Sequence, residues 1–183
     1  MNLPNKLTIG RVCMIPLFVV SLHGAGWGWY DEITARIIAA SIFILAALTD
    51  FLDGYLARKL NLISDFGKFM DPLADKVLVM AAMVYLLWLG SIPPWVLVVV
   101  EGREFLIAGL RMLAAGKGIV ISAGFLGKIK TIAQMVMIPV VLVNFDHPAA
   151  YWTGIVLIYA CVALSIVSAV DYMWRNRHIF KSI

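Results

Sequence analysis

The 183-residue chain is 62% hydrophobic and 14% charged, with a mean hydropathy of +0.92 and a formal net charge of +4. Soluble domains are roughly half apolar and about a quarter charged, so the composition excludes that class and predicts a single all-α membrane domain over residues 1–183. The 15 basic residues are dispersed over short loops, which suits an inner membrane surface and argues against nucleic acid as a partner.

In chain order, six apolar stretches stand out, at 9–29, 33–57, 67–90, 93–115, 124–145 and 149–174. Each is long enough to cross a hydrocarbon core of about 30 Å, which takes about 20 helical residues. Residues 3–8, ahead of the first stretch, are expected to form a brief helix on the membrane surface. Lys6 and Arg11 before the apolar run 12–22 imitate a signal peptide, but no small-x-small cleavage pattern follows, so a retained span is expected. The breaks carry turn chemistry: Gly24 to Gly28, Ser91-Ile92-Pro93-Pro94, Gly116 to Gly118, and Asp146-His147-Pro148. Cys13 and Cys161 lie in apolar surroundings far apart in sequence and are expected to be buried, inert thiols.

Only 13 uncharged residues run between Arg36 and Asp50, and 131–145 supplies 15. The second to fifth helices therefore reach spanning length only by carrying charges near one end. Basic residues gather at Lys6 and Arg11, around the junction of spans two and three (Arg58, Lys59, Lys68, Lys76), around that of spans four and five (Arg111, Lys117, Lys128, Lys130), and after span six (Arg175, Arg177, Lys181). The other junctions have only Arg36. The positive-inside rule then places both termini, and every charged helix end, on the cytoplasmic side of a multi-pass protein of the cell membrane.

The segment from Asp50 to Asp75 carries the chemistry. Asp50, Asp53, Gly54, Ala57 and Arg58 project on one helical face, and Gly67, Asp71 and Asp75 stack at i, i+4 and i+8 on the next helix. The short link between Arg58 and Gly67 makes these helices antiparallel neighbours, so four carboxylates converge. Such a group repels strongly in a poorly hydrated site. A hard divalent cation, Mg2+ or Mn2+, resolves the repulsion through carboxylate oxygens. Gly54, Ala57 and Gly67 clear space for a ligand or a helix, and Arg58 offers a planar fork for phosphate. The competing reading makes Asp71 a helix cap with Pro72 at the first helical position, which would break the stacking at Gly67.

Asp-x2-Asp-Gly-x2-Ala-Arg-x8-Gly-x3-Asp-x3-Asp, matched at Asp50, Asp53, Gly54, Ala57, Arg58, Gly67, Asp71 and Asp75, resembles the signature of the CDP-alcohol phosphotransferase family. That resemblance implies six transmembrane helices, usually in a homodimer, over essentially the whole chain. It implies that Asp50, Asp53 and Asp71 hold metal against the pyrophosphate of a CDP-lipid. Asp75 then contacts metal or acts as general base, making Asp71 and Asp75 the catalytic candidates. Gly54, Ala57 and Gly67 would shape the cytidine pocket.

The acceptor alcohol must be read elsewhere. Arg103 lies some four turns into its helix, deep for a charge, and Arg111, Lys128 and Lys130 follow. Together these four form a candidate pocket beside the metal site for an acceptor that carries its own phosphate. The alternative for Arg103 is an ion pair with Glu101, Glu104 or an aspartate of the ladder; for Lys128 and Lys130 it is anchoring at the inner surface. Arg103-Glu104-Phe105, Gly109-Leu110-Arg111 and Gly127-Lys128-Ile129-Lys130-Thr131 are similar to a bacterial branch of the family that uses glycerol 3-phosphate. So is the opening from Leu3 to Arg11, which puts Asn5, Thr8 and Arg11 near the nucleotide. Glu101 departs from the branch, which leads one to expect a small or apolar residue there.

The implied reaction joins CDP-diacylglycerol and glycerol 3-phosphate to give phosphatidylglycerophosphate and CMP at a site facing the cytoplasm, with acyl chains among the membrane lipids. An inositol phosphate would also suit the basic pocket, and a divalent-cation transporter is the reading from another class. His23, His147 and His178 lie apart, near loops on different sides of the membrane. Trp27, Trp29, Trp95, Tyr151, Trp152, Tyr172 and Trp174 read as an interfacial aromatic belt. Asp171 reads as a helix-end charge.

Overall fold

The computed structural model describes residues 3–59, 65–116, 118, 119, 121, 122, 124–143 and 148–177; at 3–8, 50–59 and 65–72 it describes the backbone alone. Among the described residues six helices run in order: α1 (Leu3–His23), α2 (Glu32–Lys59), α3 (Asp65–Trp88), α4 (Pro94–Gly116), α5 (Phe125–Val143) and α6 (Pro148–Arg175). Among the described residues there is no strand. The chain forms two compact units, one of residues 1–86 with 138–143, the other of residues 87–137 with 144–183.

In the first unit α1 packs along α2. Phe18 and Phe43 meet with ring centroids 6.4 Å apart. Ala35, Ala39 and Ala46 are almost wholly buried on the same side of α2, small enough to let the two backbones approach. Helix α1 is continuous from Leu3, so residues 3–8 belong to it rather than to a separate surface helix, and the helix stops at 23 rather than 29. The chain turns because Gly28, at φ 76°, takes the left-handed conformation that closes helical turns. The Gly28 amide donates to the Ala25 carbonyl and the Trp29 amide to that of Gly24, each at 3.0 Å.

The turn folds Tyr30 back so that its hydroxyl donates to the Ser21 carbonyl at 2.7 Å. Its ring then lies where a Cβ on Gly24 would stand. Gly24→Ala is therefore expected to displace Tyr30, break this bond and cost about 1–3 kcal/mol; a lowered thermal midpoint in detergent micelles is the readout, and an unchanged midpoint would contradict the packing.

Asp31 starts α2 as its N-cap: the Thr34 amide donates to Asp31 Oδ2 at 3.0 Å, and the Thr34 hydroxyl donates to Oδ1. The hydroxyl bond, then the amide bond, hold the Asp31 carboxyl below its ordinary value of 3.8. A lowered folded-state value means that the cap stabilises above 3.8 and fades as pH falls through the lower value. Asp31→Ala should accordingly lower the thermal midpoint at pH 7, and the gap from the parent should close in acid. A gap that persists unchanged there would argue against a carboxylate cap.

Helix α3 begins at Asp65, ahead of Gly67, and passes through Asp71 and Pro72 without interruption. Asp71 is thus not the cap of a helix starting at Pro72, and Gly67, Asp71 and Asp75 share one helix. At the far end of α3 the edge of one ring meets the face of another at His23–Tyr85, 5.7 Å between centroids.

In the second unit α4 starts with Pro94 at its first position, where a missing N–H costs nothing. It ends in a Schellman closure. The Ile119 amide bonds the Ala114 carbonyl and the Gly118 amide bonds that of Ala115, both at 2.9 Å, with Gly118 at φ 72°. The helix packs on α6 through Ile107, Leu110, Ala114 and Tyr172, with Ile121 against them.

Glu32–Thr49, Phe125–Val143 and Pro148–Arg175 are each long and apolar enough to cross a membrane. Helix α4 falls short because Glu101, Arg103, Glu104 and Arg111 interrupt its apolar run, and α3 because Lys68, Asp71, Asp75 and Lys76 crowd its first half. The exposed faces are apolar, with Leu45, Val98, Val156 and Val170 all more than half exposed, as expected of a membrane protein. Cys161 is buried as predicted, but Cys13 is exposed. It shares the outward stripe of Leu17 and Val20, spaced by one turn each.

Candidate active site

The aspartate ladder is divided between two helices of the first unit. Asp50, Asp53, Gly54, Ala57 and Arg58 occupy the last turns of α2, and Gly67, Asp71 and Asp75 the first half of α3; Thr8 lies in α1. Only Asp75, half-buried, belongs to the residues with described side chains, so the side-chain geometry at the other seven positions and at Thr8 lies outside them. Among the described residues no three His, Cys, Asp or Glu side chains could hold a metal. The ladder's donor set nonetheless fits a hard divalent ion. It is made of carboxylate oxygens alone, spaced i, i+3 on α2 and i, i+4 on α3, and both segments are helical.

The basic residues lie in the second unit, and there the contacts are explicit. Arg103 of α4 is held on two sides: Nε donates to Ser168 Oγ of α6 at 3.1 Å, and Nη1 to Glu104 Oε1 at 2.7 Å. Lys130 of α5 is 1% exposed, and its ammonium donates to the same Glu104 oxygen at 2.7 Å and to Gln134 Oε1 at 2.5 Å. Gln134 in turn donates from Nε2 to Glu101 Oε1 at 3.4 Å. Charges taken this far from water persist only when paired and hydrogen-bonded. Glu104 supplies the pairing by taking two cations on one oxygen.

Gly127 belongs to this arrangement through its size. A Cβ there would stand 3.2 Å from Arg103 Nη2, so glycine lets the first turn of α5 close against the guanidinium. Two turns beyond Arg103 on the same face of α4, Arg111 Nε donates to the Tyr172 hydroxyl at 3.1 Å, with the guanidinium 5.6 Å from the ring centroid. Lys128 is exposed.

Of the four residues expected to hold an acceptor phosphate, Arg103 and Lys130 are thus joined through Glu104. Arg111 stands on Tyr172 further along α4, and Lys128 is outside the network. Arg103 does pair with Glu104, the alternative weighed for it. Lys130 is no surface anchor, since its ammonium is buried. Tyr172 is not part of an aromatic belt: it is 6% exposed and carries the hydroxyl that Arg111 uses. Asp171 pairs with Arg175 at 2.8 Å, as suits a helix-end charge.

Glu104, Gln134, Ser168 and Tyr172 were not singled out as functional from sequence. A signal existed in their spacing. Gln134 follows Lys130 by four residues, and Ser165, Ser168 and Tyr172 mark one polar stripe on an otherwise apolar helix, all of them buried.

The CDP-alcohol phosphatidyltransferase family model matches residues 1–167, which takes in every residue of the ladder and of the basic network except Ser168 and Tyr172. The chain belongs to this family. Members use divalent metal ions. A CDP-diacylglycerol–glycerol-3-phosphate 3-phosphatidyltransferase of Bacillus subtilis (strain 168) is 40% identical, over 99% of this chain and 98% of its own. A probable phosphatidylglycerophosphate synthase of Mycobacterium tuberculosis (strain H37Rv) is 37% identical over 95% of this chain and 81% of its own. An Arabidopsis thaliana protein with the Bacillus protein's description, suffixed 2, is 38% identical over 95% and 80%.

Proposed function

We propose that this chain transfers the phosphatidyl group of CDP-diacylglycerol to glycerol 3-phosphate, giving phosphatidylglycerophosphate and CMP. The observation that carries the reading is the near-full-length similarity to relatives described by that activity, 40% over 99% of the chain in the Bacillus case. The paired cations Arg103, half-buried, and Lys130, buried, support the same choice, because an acceptor with its own phosphate needs charged donors.

Asp50, Asp53, Asp71 and Asp75 would hold magnesium or manganese, whose charge neutralises the pyrophosphate and favours departure of CMP. Asp75 accepts the proton of the glycerol hydroxyl as that oxygen bonds to the lipid-linked phosphorus. The bond from this phosphorus to the CMP oxygen breaks in the same displacement. Arg58 faces donor phosphate, Thr8 lies at the nucleotide end, and Gly54, Ala57 and Gly67 leave room for cytidine. Arg103, Lys130, Arg111 and Lys128 hold the acceptor's phosphate through charge-assisted hydrogen bonds.

The chain acts as one domain of six spans in the cytoplasmic membrane, as a homodimer, with both termini and the site on the cytoplasmic side. Clustering of its basic residues at alternate junctions supports that orientation. Mass spectrometry of the lipid made by purified protein from CDP-diacylglycerol and glycerol 3-phosphate tests the reaction. Phosphatidylglycerophosphate is the expected product, and its absence under conditions that consume the donor would refute the assignment.

A further inference from the structure

We propose that Gln134 and Glu101 are positioning residues for the acceptor: Gln134 fixes the Lys130 ammonium, and Glu101 fixes the sense in which the Gln134 amide is presented. The inference rests on the reading of Lys130 as a ligand of the acceptor's phosphate and extends it to two residues that make no contact with substrate.

The argument follows from donors and acceptors. An ammonium has three N–H donors and no acceptor. Lys130 places one on Glu104 and one on Gln134 Oε1. An amide presents its oxygen on one side and its NH2 on the other, so holding Lys130 turns the Gln134 NH2 away from the lysine. At 4% exposure that NH2 needs a buried acceptor, and Glu101 Oε1 is the one it meets. If Glu101 were apolar, the amide could flip its NH2 towards Lys130 and oppose donor to donor. A carboxyl group on α4 thereby keeps the amide oxygen on the ammonium. This accounts for a buried acidic side chain, 8% exposed, one turn before Glu104 on an apolar helix.

Steady-state kinetics on the full chain in micelles containing CDP-diacylglycerol tests the chain of contacts. Gln134→Leu should raise KM for glycerol 3-phosphate about tenfold or more, as for a lost bond to a charged group, and leave KM for CDP-diacylglycerol within about twofold of the parent. Gln134→Glu sets two carboxyl groups side by side and should be impaired as well. The exchange Glu101→Gln with Gln134→Glu restores acceptor to donor in the opposite sense, with Lys130 still on an oxygen. It should recover most of the acceptor KM lost by Gln134→Glu alone. Recovery would not follow if these residues only filled space, so an exchange no better than the single variant overturns the proposal. The Gln134→Glu chain and the exchanged chain decide the matter even if Gln134→Leu does not fold.

Lys130→Met separates the two levels of the argument. If it raises the acceptor KM selectively while Gln134→Leu leaves both KM values unchanged, the positioning roles fail and the acceptor pocket stands. If it shifts both KM values equally, the pocket itself fails, and the positioning roles with it.

Discussion

Asp53→Asn is expected to abolish CMP release. A neutral amide is a far poorer ligand for a hard cation than a carboxylate. Charge neutralisation at a phosphoryl group is worth several kcal/mol, and losing about 4 kcal/mol slows turnover on the order of a thousandfold. The substitution keeps size and shape, and position 53 lies in the last turns of α2, so the fold should persist. Thermal midpoints of variant and parent in the same micelles check that point. Loss of turnover with an unchanged midpoint is the predicted combination; full activity in the variant would remove Asp53 from the metal set.

Lys130→Met should have the next largest effect, on two observables at once. Removing one partner of a buried ion pair costs about 3–5 kcal/mol when the other is left alone. Here Arg103 remains on Glu104, so part of that loss is offset. A cost of about 2–3 kcal/mol corresponds to roughly 5–10 °C of thermal midpoint for a chain of this size. The acceptor's KM should rise by about tenfold or more, since bonds to charged groups contribute about 1.5–3 kcal/mol each. Lys128→Ala provides the contrast. Its exposed side chain should leave the midpoint unchanged and raise the acceptor's KM by less than Lys130→Met does. A Lys130→Met chain with parental midpoint and parental KM would contradict both the buried pairing and the assigned role.

The part of the site that sequence made legible is the part written in local periodicity. Asp50 and Asp53, or Asp71 and Asp75, need only an uninterrupted helix to share a face, and α2 and α3 provide one. The six helices were legible for a similar reason, as apolar runs separated by glycine and proline turns. Their ends were less so. Helix α1 stops at His23, where Gly28 turns the chain and Tyr30 folds back on Ser21, a contact that hydropathy does not encode.

The basic network was only half legible. Its cations were visible as costly charges in apolar helices, but their partners were not. Glu104 joins Arg103 on its own helix to Lys130 on α5, and Ser168 reaches Arg103 from α6. These meetings depend on how three helices pack. Tyr172 shows the same limit: a tyrosine near a helix end fits an interfacial belt equally well until α4 is seen to cover it. Glu101 looked like an anomaly in sequence because its partner, Gln134, lies 33 positions away.

The central claim is that this membrane protein moves a phosphatidyl group to glycerol 3-phosphate. The most direct measurement is CMP release by the purified chain with CDP-diacylglycerol and magnesium or manganese, offering glycerol 3-phosphate, inositol phosphate, glycerol and serine separately. Release with glycerol 3-phosphate alone is the predicted result. Release with a different alcohol alone would contradict the acceptor assignment while leaving the ladder's role intact, and no release with any acceptor under either metal would contradict the transferase reading itself.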